Sequence, residues 1–263
     1  MYQTTYHRPA TLDEAIKLGS NDEAKYLSGG QTLIPTMKQR LASPESLVDL
    51  SGLSELQGIR ADGGSLSIGA GMTHADVASS AQVREMIPAL ADLAGGIGDP
   101  HVRNMGTLGG SVANNDPSAD YPAAVLALNA TIYTNKREIS ADSFFNGLFE
   151  TVLEEGEIIT RISFPVPSKA NYQKFDSPAS RYALVGVFAA RTDGNCRVAV
   201  TGAGNDGVFR MEAAEGALSA SWSADSVGKN RPDPDDMIVD LHGTGEYRAH
   251  LVNVLAKRAV TAA

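Results

Sequence analysis

The chain has 263 residues, 43% of them hydrophobic and 20% charged, with a formal net charge of −9. That size supports a substantial core, as one large domain or two smaller ones, and the acidic balance excludes wrapping nucleic acid or an anionic membrane, which needs a basic face. Cys196 is the single cysteine and the five histidines (His7, His74, His101, His242, His250) show no pair at metal-ligand spacing, so any redox chemistry has to use an organic cofactor or a partner's metals.

In chain order, Thr11-Leu12-Asp13-Glu14 reads as a capping box opening a helix that Gly19 ends. Ala24 to Leu27 is a short strand running into Ser28-Gly29-Gly30, followed by a helix over Thr32 to Arg40 and a buried strand at Leu47 to Leu50. Strand, glycine turn, helix, strand is a small βαβ unit and predicts a parallel sheet. Leu56 to Ile59 and Ser65 to Ile68 read as short strands around the turn Asp62-Gly63-Gly64. Thr73 starts another helix, and Pro88 to Leu93 a further one stopped by Gly95-Gly96.

Gly95 to Pro122 is rich in Gly, Asn, Asp and Ser and poor in periodicity, which predicts a long functional loop. Its apolar residues Ile97, Val102, Leu108 and Val112 argue against disorder. Strands follow at Ala130 to Thr134 and Ile158 to Phe164, and Pro165 and Pro167 mark a subdomain boundary. Beyond it, Tyr182 to Ala189 and Arg197 to Val200 read as strands and Asn230 to Asp236 as a surface loop. Glu246 to Ala259 reads as a helix with Tyr247, Leu251, Val254 and Leu255 on one face and Lys257 and Arg258 in its last turn. No apolar run is long enough to span a bilayer, and Met1 to Ala10 lacks a signal-peptide pattern. A cytoplasmic protein is expected, held at the inner face of a membrane at most through partners.

Two glycine pairs concentrate the chemistry. Ser28-Gly29-Gly30-Gln31-Thr32 and Thr107-Leu108-Gly109-Gly110-Ser111 each set adjacent glycines among hydroxyl and amide side chains. Glycine allows backbone angles that aim successive N–H groups at one point, and such a concave donor set binds phosphate oxygens. Two of them converging could hold the diphosphate of a dinucleotide; either alone is as well read as a turn. Asp120 offers a carboxylate to a ribose or ribityl hydroxyl, or else a helix N-cap. Lys174 shares a strand face with Tyr172 and could meet a flavin edge or a phosphate, while Tyr182 could stack on a ring, against the alternative of ordinary surface and core placement. Gly202-Ala203-Gly204-Asn205-Asp206-Gly207 fits a dinucleotide fingerprint, but Val208 to Met211 continues as strand rather than helix, so it reads as a hairpin turn. No nucleophile elbow is present, Cys196 reads as packing and His101 as surface.

These segments resemble a known family. Tyr26 to Lys38 is similar to the first FAD-binding motif of the medium, flavoprotein subunits of molybdenum hydroxylases, and Gly98-Asp99-Pro100 through Asn114 to the second. Leu241-His242-Gly243 and Glu246-Tyr247-Arg248 resemble the family's C-terminal segment. The likeness is greatest to aerobic carbon monoxide dehydrogenase and more distant to the xanthine dehydrogenase FAD domain. Thr32, Leu108 and Ser111 depart mildly from the family's commonest residues and mark a subfamily.

The resemblance implies an α+β fold: a two-lobed FAD-binding domain of the vanillyl-alcohol-oxidase type, residues 1–54 and 55–167, and a C-terminal domain, residues 168–263, with antiparallel strands and helices. It implies FAD held by Ser28, Gly29, Gly30, Gln31, Thr32, Leu33 and Ile34, by Thr107, Leu108, Gly109, Gly110 and Ser111, and by Asp120, Ile159, Lys174 and Tyr182. It further implies a small subunit with 2Fe–2S clusters and a large subunit with the molybdenum cofactor, in a dimer of heterotrimers. Electrons would pass from the clusters through FAD to a quinone or another acceptor, with no catalytic acid or base and no metal in this chain. The rival readings are a stand-alone flavin oxidase of the same fold and a scaffold subunit without flavin.

Overall fold

The computed structural model describes residues 1–21, 23–228 and 230–263. Its first sheet has three parallel strands, β1 (Thr5–His7), β2 (Ala24–Leu27) and β3 (Ser46–Asp49), in the order β1-β3-β2. The parallel βαβ unit is as expected: β2 runs through Ser28-Gly29-Gly30 into α2 (Leu33–Lys38) and returns as β3, with Tyr26 opposite Val48. The preceding helix α1 (Leu12–Gly19) has half of its capping box. The Thr11 hydroxyl accepts from the Glu14 N–H, but the Glu14 carboxylate takes the Ala10 N–H instead of closing on Thr11. β1 escaped the sequence reading because three largely exposed residues carry no alternation.

A second, antiparallel sheet has the order β4-β5-β10-β6-β7, from β4 (Ile59–Asp62), β5 (Ser65–Gly69), β6 (Thr131–Thr134), β7 (Glu138–Ser140) and β10 (Ile159–Pro165). A separate hairpin, β8 (Phe145–Gly147) and β9 (Glu150–Thr151), lies between. Leu56, expected in a strand, belongs to a 3-10 turn, and β4 begins only at Ile59. The helices here are α3 (His74–Ser79), α4 (Ala81–Met86), α5 (Pro88–Gly95), α6 (Pro100–Met105), α7 (Leu108–Asn114) and α8 (Tyr121–Ala127). Thr73 and Asp76 form a full capping box on α3, Pro88 opens α5 and Gly96 closes it.

The chief correction concerns Gly95 to Pro122, which is three successive helix starts rather than a long loop. Asp99 caps α6 by accepting the Val102 N–H, and Thr107 caps α7 by accepting the Gly110 N–H. Asn115 ends α7 in the left-handed conformation at φ 43°. Helices of six and seven residues show too few turns for a periodic pattern.

The third sheet is antiparallel, β11 (Lys169–Asp176), β12 (Ala183–Thr192), β13 (Asn195–Gly204) and β14 (Gly207–Arg210) in that order. Gly204 registers opposite Gly207, so the apparent dinucleotide fingerprint is a hairpin turn. α9 (Glu212–Ala220), α10 (Ala224–Val227) and α11 (Gly245–Ala262) follow. α11 extends past its expected end, so Lys257 and Arg258 are not in its last turn. Its buried face runs through Arg248, Leu251, Val252 and Leu255, whereas Tyr247 is exposed and meets Phe175 edge-on.

The largest core, between the second sheet and helices α3, α4, α5, α7 and α8, also takes in Phe188, Ala190 and Ala199 of the third sheet; two smaller cores serve the third sheet with α11 and the first sheet with α1. Buried Cys196 packs in the second of these. Among the described residues no helix is long and apolar enough to cross a membrane.

Candidate functional site

The two glycine segments, 79 residues apart at Ser28 and Thr107, meet. Ser28 Oγ lies 2.8 Å from Thr107 Oγ1, which also accepts the Gly110 N–H at 3.1 Å. Gly29 packs directly on the preceding turn: a Cβ there would stand 2.0 Å from the Met105 carbonyl oxygen and 2.7 Å from Gly106 Cα. Only glycine permits that approach, and Gly30 turns the chain at φ +68°.

The two pairs do different work. Among the described residues, no protein acceptor is hydrogen-bonded to the N–H groups of Gly29, Gly30, Gln31, Thr32 or Leu33, which lead into α2. The second pair is not the cradle of free donors its composition suggests. Leu108 N–H donates to Met72 O at 3.0 Å, Gly109 N–H to Ala70 O at 2.9 Å, and Gly110 N–H to Thr107 Oγ1. Gly109 is there for closeness, since a Cβ would lie 2.5 Å from that of Ala70. Leu108 is fully buried in the core and does not face the ligand side.

Both segments border one cleft of about 850 Å³, a volume suited to a cofactor-sized ligand. Its lining includes Ser28 to Leu33, Thr107 and Gly109 to Ser111, and also Asp120, Ile159 and Tyr182. Of the expected residues, Ile34 and Leu108 do not line it, and Lys174 reaches it only through Asp120.

Asp120 sits at the start of α8 but caps nothing. Its carboxylate instead accepts from Tyr172 Oη at 2.6 Å and pairs with Lys174 Nζ at 3.0 Å, so Tyr172 and Lys174, on one face of β11, act together. Burial pushes the Asp120 carboxyl up, and Lys174 and the Tyr172 hydroxyl pull against it. Lys174 also donates to Gly96 O at 3.2 Å, tying β11 to the end of α5. Tyr182 is 51% exposed at the rim, with its hydroxyl pKa raised by burial and by the charges of Asp116 and Asp120.

Further residues of the cleft went unread in the sequence, Phe149, Glu157 and His74 among them. Phe149 holds φ +58° and stays 60% exposed, its N–H donating to Asn115 O while Asn115 Nδ2 donates to Gly147 O and Glu150 O. Glu157 is held by Arg137 and Thr134, and His74 is buried at the foot of the cleft. No local signal marks the left-handed Phe149, or Glu157 with its distant partners, whereas Thr73 had already placed His74 in a first helical turn.

A family model described as the FAD-binding domain in molybdopterin dehydrogenase matches residues 2–167. The chain belongs to that family. It is 34% identical over 280 residues to the carbon monoxide dehydrogenase medium chain of Hydrogenophaga pseudoflava, covering 98% of this chain and 96% of the relative. It is 35% identical to the glyceraldehyde dehydrogenase medium chain of Sulfolobus acidocaldarius, covering 97% and 96%. The crystal structure of the cyanide-inactivated Cu,Mo-CO dehydrogenase aligns with TM-score 0.91 at 31% identity over 99% of this chain and 98% of that one. Family membership makes this chain an FAD-binding oxidoreductase subunit with the α+β fold expected of it. The residues present suit FAD: five unengaged backbone N–H groups at the junction offer donors to a diphosphate, and the cleft leads from them towards Tyr182.

Proposed function

We propose that this chain is the electron-transfer flavoprotein subunit of a molybdenum hydroxylase. It would work beside a small subunit with 2Fe–2S clusters and a large subunit with the molybdenum cofactor, in a cytoplasmic dimer of heterotrimers that delivers electrons to a quinone or another external acceptor. The observation that carries this reading is the convergence of Ser28-Gly29-Gly30 and Thr107-Leu108-Gly109-Gly110 on one cleft, linked by the Ser28–Thr107 hydrogen bond. The relatives' names support the rest: both are medium chains, which implies a larger and a smaller companion. Their names carry different substrates at nearly equal likeness, as expected if the hydroxylated substrate binds another chain.

Bound FAD supplies one- and two-electron redox chemistry. This chain's own residues bind and orient. Gly29 to Leu33 would donate backbone N–H groups to the diphosphate, with Ser28, Thr107 and Ser111 beside them. Asp120, braced by Lys174 and Tyr172, would accept from a cofactor hydroxyl, while Ile159 gives an apolar wall and Tyr182 a ring at the mouth. The division 1–54, 55–167 and 168–263 belongs to the same proposal, supported by the three larger sheets, one of which falls in each part.

The test is purification of the full chain and of whatever travels with it. Stoichiometric, extractable FAD together with co-purifying iron–sulfur and molybdenum chains is the expected result. FAD turning over a substrate without those chains would favour a stand-alone oxidase, and a colourless chain unable to take up FAD would leave only a scaffold.

A further inference from the structure

His74 is a nearly buried cleft residue whose ring nitrogens have no part in the proposed function. It is 4% exposed, occupies the first turn of α3 and lines the cleft. Its backbone N–H donates to Gly106 O at 3.0 Å, which fixes the ring against the segment that carries Thr107. Tyr121 holds it from the other side, the two ring centroids 5.4 Å apart. Nδ1 is buried and has no hydrogen-bond partner. Nε2 lies at Gly106, where a Cβ would stand only 2.6 Å from it, and Gly106 is the residue on which Gly29 packs.

Burial, reinforced by the Arg103 guanidinium, lowers the His74 pKa to about 4, so the ring is neutral near pH 7 and carries one N–H. Arg103 is the cation facing it; Asp76 on the same helix is spent on Thr73. A proton on Nδ1 would be a buried donor without acceptor, costing on the order of a hydrogen bond's desolvation. The proton therefore belongs on Nε2, at the junction of the two glycine segments. The unengaged N–H groups of Gly29 to Leu33 at that junction call for an anion.

Resting on the FAD reading, we infer that His74 is a binding residue whose Nε2–H donates to a phosphate oxygen of the cofactor, completing a donor set otherwise made of backbone amides. A neutral donor suits the place: it adds a directed hydrogen bond without the cost of burying a second cation beside Arg103.

The experiment compares FAD affinity and the 31P spectrum of bound FAD for wild type, His74→Phe and His74→Gln in the full chain. His74→Phe keeps a ring against Tyr121 but has no donor; it should weaken FAD binding roughly ten- to hundred-fold, the worth of a hydrogen bond to a charged group. It should also move a diphosphate resonance, and His74→Gln should recover part of both effects. Unchanged affinity and an unchanged 31P spectrum in His74→Phe overturn the inference. If that variant does not fold, 15N-histidine spectra of the wild-type holoprotein decide instead: a protonated Nε2 coupled to phosphorus supports it, and a protonated Nδ1 overturns it. Wild type failing to take up FAD at all would sink the cofactor reading, a distinct outcome.

Discussion

Lys174 Nζ stands 3.0 Å from Asp120 Oδ1, with the two side chains only 9% and 4% exposed, and so joins the third sheet to the helix that borders the cleft. A pair this buried gains little over an apolar replacement, but removing one member strands the other charge. Its value here is geometric: it fixes where the Asp120 carboxylate points.

Asp120→Ala should therefore destabilise the chain by about 3–5 kcal/mol, because the nearly buried Lys174 keeps only the exposed Asp176 carboxylate at 3.3 Å and the Gly96 carbonyl, and Tyr172 loses its acceptor. The double variant Asp120→Leu/Lys174→Met should recover much of that loss while remaining defective in FAD binding. Urea unfolding with parallel FAD titration checks both; equal destabilisation of single and double variants would refute the account.

Gly29→Ala should lose FAD binding and about 1–3 kcal/mol of stability, since the new Cβ meets the Met105 carbonyl at 2.0 Å and neither backbone is free to yield. Gly216→Ala makes the contrast. Gly216 lies inside α9 with nothing within 4 Å of a Cβ, so alanine should stabilise by about 0.5–1 kcal/mol and leave FAD binding alone. Thermal melts of the two variants with and without FAD measure the difference.

Glu157 makes stability fall in acid. Burial opposes its charge, but Arg137, the Glu154 N–H and the Thr134 hydroxyl outweigh burial and hold the pKa at about 2, against an ordinary value of 4.5. The unfolded chain then binds more protons between those values, so this stabilisation is complete above pH 4.5 and vanishes as pH falls towards 2. The loss is at most about 3 kcal/mol. Glu157→Gln should flatten that part of a urea-denaturation pH series.

His74 gives a second, separate window. Its folded pKa of about 4 lies below the ordinary 6.5, so the unfolded chain again takes up the extra proton and stability drops as pH falls from 6.5 to 4. In the FAD-free chain His74→Phe should remove the slope in this window and leave the Glu157 slope below it intact. A slope that survives the substitution would place the titration elsewhere.

Much of the local structure could be read from short-range rules. Thr73 with Asp76, Pro88 at the start of α5, and Asn205-Asp206 between β13 and β14 each specify their own few residues. Where the rules failed, the elements were short. β1, α6 and α7 hold three, six and seven residues, too few for a period to register against a background of Gly and Asn. The site divided in the same way. Gly29 and Gly30 advertised a close approach, but that Gly109 packs on Ala70, and that Leu108 turns inward, depends on residues nearly 40 positions away.

Taken alone, then, the order of residues determined the parallel βαβ unit, the hairpin nature of the Gly202–Gly207 segment and the tight turn at Gly29-Gly30, because each arises from backbone conformations that a handful of neighbours impose. Tertiary structure alone decided that Ser28 touches Thr107, that Asp120 answers Lys174 and Tyr172 instead of capping a helix, and that His74 lies at the glycine junction. Those contacts close long loops, and the entropy of closing them is repaid by burial shared over the whole core, a balance that no local window of residues contains.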